Sequence, residues 1–358
     1  MSLLTSVHAG TSQVDDFRVL LDEALHDFVR ARQDLAPELT AELSRLILAG
    51  GKRIRPTFAW WGWRAAGGAP RADAVVRAMV ALELLQCCAL VHDDVMDRST
   101  TRRGRPSVHE SFAARHRRER WAASARQYGD SAAILVGDLA LAWADDALVT
   151  AGLPADALSR AWQPWQAMRT EMIAGQHLDL LAVARREESL EHAVRVAALK
   201  TAAYTVERPL HLGAALAGAD DDVVECLRAY GHDIGVAFQL RDDLIGVFGD
   251  SSVTGKPVGE DLREGKRTTL MAIGLSRAQG RTSAQRLLRR CLESGSISEQ
   301  AVGEVSALLV ELGAVTAVEE HIEALAGSGL AALKRAEIDD GARQELMRLA
   351  GRAVTRTT

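Results

Sequence analysis

The chain has 358 residues, 47% of them apolar and only 4% aromatic, with a formal net charge of −5. It is long enough to bury a large core, and its acidic balance argues against general nucleic-acid binding. The four cysteines show no CxxC spacing, and no signal peptide or uninterrupted bilayer-length apolar span is apparent, so a cytoplasmic protein with reduced thiols is expected.

Alanine and leucine are abundant and proline is scarce, a composition that favours helices. Residues 1–13 are polar and small, and are expected to form a disordered or vector-derived leader ahead of one domain over 14–358. Phe17, Leu20, Leu21, Ala24, Leu25, Phe28 and Val29 recur at helical spacing. Pro37 opens a second helix, which stops at Gly50-Gly51. Lys52-Arg53-Ile54-Arg55-Pro56 follows, where glycines allow close backbone approach and three cations suit an anion. A solvated basic turn would read the same way. Trp60, Trp61 and Trp63 then lie on a helix and are expected in core and interface.

The next helix is the informative one. Met79 to Val95 is almost wholly apolar without Gly or Pro, and it ends in Val91-His92-Asp93-Asp94-Val95-Met96-Asp97. Asp93 and Asp97 share a helical face, and Asp94 points about 100° away. Carboxylates gathered at a helix C-terminus, where the macrodipole is already negative, need a cation. Mg²⁺ suits them, because it takes one or two carboxylates and completes its shell with water and phosphate. Arg102-Arg103 beside it reads as a phosphate clamp. The pairs at Asp15, Asp145, Asp220 and Asp339 lack this setting and read as solvated faces or caps.

An arginine-rich connection, read as a solvated loop, runs to Tyr128, and Gly129-Asp130-Ser131 is expected to cap the next helix. Trp162, Trp165, Met168 and Met172 lie on another, continuing to Asp179. Lys200-Thr201 interrupts an apolar helical run, where a lysine either snorkels or faces an internal anion. Asp220-Asp221-Asp222 starts a helix ending in Phe238-Gln239-Leu240-Arg241-Asp242-Asp243-Leu244-Ile245-Gly246, a second apolar helix tipped by Asp-Asp. Gly249 to Gly265 is glycine-rich, carries Lys256 and leads to Lys266-Arg267-Thr268-Thr269 at another helix start. Amphipathic helices broken by Gly295, Gly313 and Gly327-Ser328-Gly329 complete the chain, and no segment needs to be a strand.

Two aspartate-tipped helices, with Lys52, Arg55, Arg102, Arg103, Lys200, Lys256 and Lys266 around them, suit an apolar chain carrying a diphosphate head. In combination and order, Gly-Gly-Lys-Arg-Ile-Arg-Pro, the first aspartate motif with Arg-Arg-Gly-Arg-Pro, Lys-Thr, Phe-Gln-Leu-Arg-Asp-Asp and Thr-Gly-Lys-Pro…Gly-Lys-Arg resemble the trans-isoprenyl diphosphate synthase (polyprenyl synthetase) family from Phe17 onward. That resemblance implies an all-α, single-domain helical bundle around a central apolar cavity, usually a homodimer. It implies that Asp93 and Asp97 hold two Mg²⁺ ions and Asp242 a third, on an allylic diphosphate gripped by Arg102, Lys200, Lys256 and Lys266. Isopentenyl diphosphate would sit on Lys52, Arg55, Gln86 and Arg103. Gln239 and the backbone at Lys200-Thr201 would stabilise the allylic cation.

Two departures matter. Gly246 stands where the family has a third Asp, so the third ion is expected to bind through Asp242 with more water. Cys88 and Ala89, four and five positions before Asp93, replace the bulky aromatics that stop growth at farnesyl length. With small residues forming the chain-length floor, geranylgeranyl diphosphate is the expected main product, with farnesyl or longer products as alternatives. Three rival readings have weaker support. A terpene cyclase would need a polar Asn/Ser/Glu-type second motif. A non-catalytic partner subunit would tend to lose an aspartate motif. A His-Asp phosphohydrolase would need further histidines around His92, which reads instead as a hydrogen-bonded core residue.

Overall fold

In the computed structural model, residues 3–32, 34, 36–102, 104–249, 258–294 and 297–355 are described. The helices are α1 Leu3–Arg30, α2 Pro37–Leu48, α3 Ile54–Ala65, α4 Asp73–Met96, α5 Val108–Glu119, α6 Ala125–Val149, α7 Ala155–Arg185 and α8 Leu190–Val196. A π-helical segment Ala197–Glu207 follows, then α9 Arg208–Ala217, α10 Asp221–Phe248, α11 Glu260–Arg263, α12 Thr269–Arg277, α13 Thr282–Ser294, α14 Glu299–Glu311, α15 Ala314–Arg335 and α16 Asp340–Val354. The all-α expectation holds. Among the described residues the only strands are β1 Thr101–Arg102 and β2 Arg105–Pro106, an antiparallel pair that the sequence gave no reason to expect.

The chain divides into two compact units, Met1–Gln163 with Leu212–Gly218, and Pro164–His211 with Ala219–Thr358. In the first, α4 packs along α6, and α5 lies on α6. Leu82, Leu84, Leu85, Val136, Ala140 and Ala144 are fully buried there. Gly137 makes this packing close: a β-carbon on it would collide with the His92 ring. Trp60 and Trp61 are core residues as expected, and Trp60 stacks on Phe17 with ring centroids 4.9 Å apart.

In the second unit α10 is central, packed against α15 and the π-helical segment. Its core includes Leu240, Leu244, Leu270, Leu288, Leu309 and Ile322. Asp220 caps α10 by accepting from Val223 N at 2.9 Å, and Thr268 caps α12, both where the sequence signals place them.

Helix α1 begins at Leu3. Three sequence expectations are corrected. The arginine-rich connection contains α5, whose buried face is His109, Phe112, Ala113 and His116. Two histidines on that face hide the apolar periodicity. Ser124, not Gly129, caps α6. Gly327-Ser328-Gly329 lies inside α15, and Gly329 permits close approach to Ile234 of α10.

Candidate functional site

In the first unit, α4 is fully buried from Ala78 to Leu85 and then becomes partly accessible toward its C-terminus. Gln86, Ala89, Leu90 and Asp93 are all half-buried, and their spacing puts them in a stripe on one face. Asp97 continues that face as the C-cap of α4, its N–H donating to Asp93 O at 2.8 Å. Ala89 therefore lies below Asp93 on the stripe. Cys88 does not: it is 2% exposed, with Sγ 3.7 Å from His92 Nδ1, and burial pushes its thiol up to about 12. His92 Nε2 lies 3.2 Å from Ile134 O, which makes it the hydrogen-bonded residue the sequence suggests.

Asp94 points off the stripe and is buried. Arg102, brought back by the β1–β2 pair, donates from Nε to Asp94 Oδ1 at 2.9 Å and also from Nη2. The same guanidinium stands 3.6 Å from Asp93 Oδ2. Burial raises the Asp94 carboxyl, and Arg102 opposes that shift. Arg102 thus already neutralises one carboxylate while standing beside a second.

The basic turn before α3 separates into two roles. Arg53 is buried in a left-handed conformation with φ 48°, and it ties Glu83 of α4 at 2.5 Å, Asp22 of α1 at 2.9 Å and Ile47 O at 3.0 Å. Burial works against its charge, but Glu83 and Asp22 outweigh it and raise it. Arg53 is the anchor. Lys52 is exposed, with its carbonyl accepting from Arg18 at 2.8 Å, and Arg55 is half-buried at the start of α3.

In the second unit, Lys200-Thr201 lies in the π-helical segment. Lys200 Nζ is 2.6 Å from Asp179 Oδ2 of α7. The segment is seated on glycines: a β-carbon on Gly175 of α7 would stand 2.6 Å from Lys200 Cα, and one on Gly235 of α10 would stand 2.8 Å from Ala202 Cα. A π-turn inside helical surroundings frequently marks a functional position.

At the end of α10, Asp242 is half-buried and Asp243 is buried. Gln239 Nε2 donates to Asp243 Oδ1 at 2.7 Å. Burial, and then the nearby Asp261 charge, pushes the Asp243 carboxyl up to about 8. Lys266 Nζ reaches Asp261 Oδ1 at 3.0 Å and Glu264 Oε2 at 2.8 Å. Burial disfavours the Lys266 ammonium, yet these two carboxylates outweigh it and hold it above the ordinary lysine value. Arg103 and Lys256 lie outside the described residues.

The donor chemistry fits a hard divalent cation. Asp93 and Asp97 in one unit, and Asp242 in the other, offer only oxygen. Among the described residues no group of three or more His, Cys, Asp or Glu side chains is gathered tightly enough to hold an ion alone. An ion held by Asp93 and Asp97, or one held by Asp242, would therefore draw much of its shell from water and ligand oxygen, as Mg²⁺ does. The sequence reading missed Asp261 and Asp179 as carboxylate partners of its two lysines. Neither falls in an apolar-helix motif, so nothing in the local pattern singles them out.

An all-α chain with two aspartate-ended helices, and with basic side chains placed near them within each unit, defines a class of proteins that handle phosphorylated apolar molecules. The polyprenyl synthetase profile matches residues 36–309, and the chain belongs to that family. A geranylfarnesyl diphosphate synthase of Aeropyrum pernix is 30% identical over 334 residues, 92% of this chain and 97% of that protein. A (2E,6E)-farnesyl diphosphate synthase of Mycobacterium bovis is 35% identical over 74% of this chain and 67% of its own. Among solved structures, a geranylgeranyl pyrophosphate synthase of Corynebacterium glutamicum, complexed with isoprenyl diphosphate and magnesium, is 44% identical, with TM-score 0.90 over 96% of this chain and 99% of its own. The protein is a trans-prenyl diphosphate synthase, a transferase of prenyl groups.

Proposed function

We propose that this synthase condenses isopentenyl diphosphate head-to-tail with an allylic diphosphate, requires Mg²⁺, and makes mainly geranylgeranyl diphosphate. The observation that supports the product assignment is the α4 stripe, where a small, half-buried residue, Ala89, lies one turn below Asp93. Farnesyl and geranylfarnesyl names among the relatives mark the range within which this choice is made.

In this reading Asp93, Asp97 and Asp242 would hold about three Mg²⁺ ions, which when bound would supply Lewis-acid stabilisation of diphosphate charge. Arg102, Lys200, Lys256 and Lys266 bind the allylic diphosphate. As substrate charge arrives, Lys200 and Lys266 exchange part of their pairing with Asp179 and Asp261 for phosphate oxygen. Lys52, Arg55, Gln86 and Arg103 orient isopentenyl diphosphate. The Gln239 side-chain carbonyl and the backbone at Lys200-Thr201 face the allylic carbon as positive charge develops. The isopentenyl double bond attacks that carbon, and the released diphosphate takes the proton.

The working form is a homodimer in the cytoplasm. Among the described residues α4 is the single helix long and apolar enough by composition to cross a membrane, and it is mostly buried; α14 and α15 pass that test only if taken together across their 62° bend.

Product length tests this assignment. The wild type is incubated with isopentenyl diphosphate, an allylic primer and Mg²⁺, and the dephosphorylated product is sized by mass spectrometry. Geranylgeraniol is expected, and Ala89→Phe is expected to shift the product to farnesol. Cys88→Phe is expected chiefly to overpack the α4–α6 contact, costing about 1–3 kcal/mol of stability. A farnesyl product from the wild type, or an unchanged product from Ala89→Phe, overturns the product assignment. Diphosphate release from the allylic substrate alone overturns the condensation.

A further inference from the structure

The π-helical segment that carries Lys200-Thr201 is 11 residues long, whereas π-turns are mostly single turns set inside α-helices. Its wider register persists to the end: the Arg208 N–H donates to Ala203 O, five residues back rather than four. A conformation this uncommon needs neighbours that hold it.

Those neighbours lie along one face of each of two helices. On α7, Glu171, Gly175 and Asp179 follow one another at intervals of four. Gly175 meets the Lys200 backbone and Asp179 pairs with Lys200 Nζ. Glu171 takes Arg208, from Nε at 2.8 Å and from Nη2 at 2.5 Å. On α10, Arg228, Gly231 and Gly235 share a face in the same way. Gly235 meets Ala202, and a β-carbon on Gly231 would stand 2.7 Å from Glu207 Cα. Arg228 donates from Nε and Nη2 to Glu207 Oε1 at 3.0 and 2.9 Å.

The consecutive residues Glu207 and Arg208 are both buried, and they tie the end of the segment to two different helices. Burial works against the Glu207 carboxylate, but His232, Arg208 and Arg228 outweigh it and hold the carboxyl below its ordinary value. Burial, and then the Arg208 and Arg228 charges, push His211 down to about 4. Its neutral ring can therefore accept at Nδ1, 3.3 Å from Arg208 Nη1. Every polar direction of this clamp is used, and its glycines meet the backbone of the same segment.

We infer that Glu207 and Arg208 are positioning residues, whose ion pairs to Arg228 and Glu171 fix the π register and thereby the placement of Lys200 and the Lys200-Thr201 backbone. The inference rests on the proposed reading of Lys200 as an allylic diphosphate ligand. With the clamp released, the segment relaxes toward the α pattern and Lys200 turns with it.

Steady-state kinetics with each substrate varied in turn, well below the unfolding temperature, tests this. Arg228→Met acts at a side chain that is 41% exposed, and so spares the core. It is expected to lower kcat/KM for the allylic diphosphate about tenfold, chiefly through KM, against the ~100-fold that a 1 Å misplacement can cost. KM for isopentenyl diphosphate should not change. Glu171→Gln, which keeps the shape of the other partner, is expected to shift the allylic KM in the same direction. Amide hydrogen exchange over 197–207 should quicken in both variants. A clamp that served stability alone would lower Tm and the apparent kcat while moving neither KM, and that result overturns the inference. Lys200→Met is the reference. If it raises the allylic KM while Arg228→Met and Glu171→Gln do not, the inference fails and the reading of Lys200 stands. If Lys200→Met leaves the allylic KM unchanged, both fail.

Discussion

Arg53 shows how a single residue of a basic motif can serve the fold while its neighbours Lys52 and Arg55 are the ones proposed to serve the ligand. Its guanidinium is buried and fully occupied by Glu83, Asp22 and a helix-end carbonyl, so it joins α1, α2 and α4 beneath the turn that carries Lys52. Removing one member of a buried pair strands the other in a poorly solvated place. Glu83→Ala is therefore expected to cost about 3–5 kcal/mol in urea unfolding. Replacing both partners, as Arg53→Met with Glu83→Leu, should recover much of that loss, because no charge is then left buried. A single variant as stable as wild type would mean that water, not Glu83, satisfies Arg53.

At the scale of the element, the long helices were legible because burial imposes a period on apolar residues. The run from Met79 to Val95 and the Asp220 cap are instances. What escaped reading was structure made without apolar signal. Helix α5 buries histidines, and the β1–β2 pair is held by two residues a side. The same limit applied to the site. Asp93, Asp97 and Asp242 announce themselves by their place on apolar helices, whereas Asp179 and Asp261, which pair with Lys200 and Lys266, carry no such local pattern. The π-helical segment belongs here too. Its position depends on Gly175, whose missing β-carbon lets α7 meet the Lys200 backbone directly. Gly175→Ala is expected to cost about 1–3 kcal/mol through overpacking and to lower kcat/KM for the allylic substrate by displacing Lys200. Gly351→Ala in α16, where a β-carbon meets nothing within 4 Å, should instead be neutral or stabilising by up to about 1 kcal/mol. Equal effects of the two would mean that the Gly175 contact is not what seats Lys200.

Across the whole molecule the balance of charge sets what the protein needs from its ligands. The net charge is −5, and much of the acidity near the proposed site is already matched: Asp94 by Arg102, Asp179 by Lys200, Asp261 by Lys266. These pairs leave little field to attract a divalent ion by itself and few uncommitted cations for a bare diphosphate. In the proposed reading each ligand would make the other tolerable: the ion would relieve lysines from carboxylates, and the diphosphate would complete the ion's shell. Stabilisation by mass action should then be strongly synergistic. In thermal unfolding, MgCl₂ alone and inorganic diphosphate alone are each expected to move Tm little. Together, at about one hundred times their joint dissociation constant, they should add about 2.7 kcal/mol, and excess EDTA should remove it. A full shift with diphosphate in EDTA would mean that lysines and arginines alone hold the anion, and that the carboxylates of α4 and α10 serve another purpose.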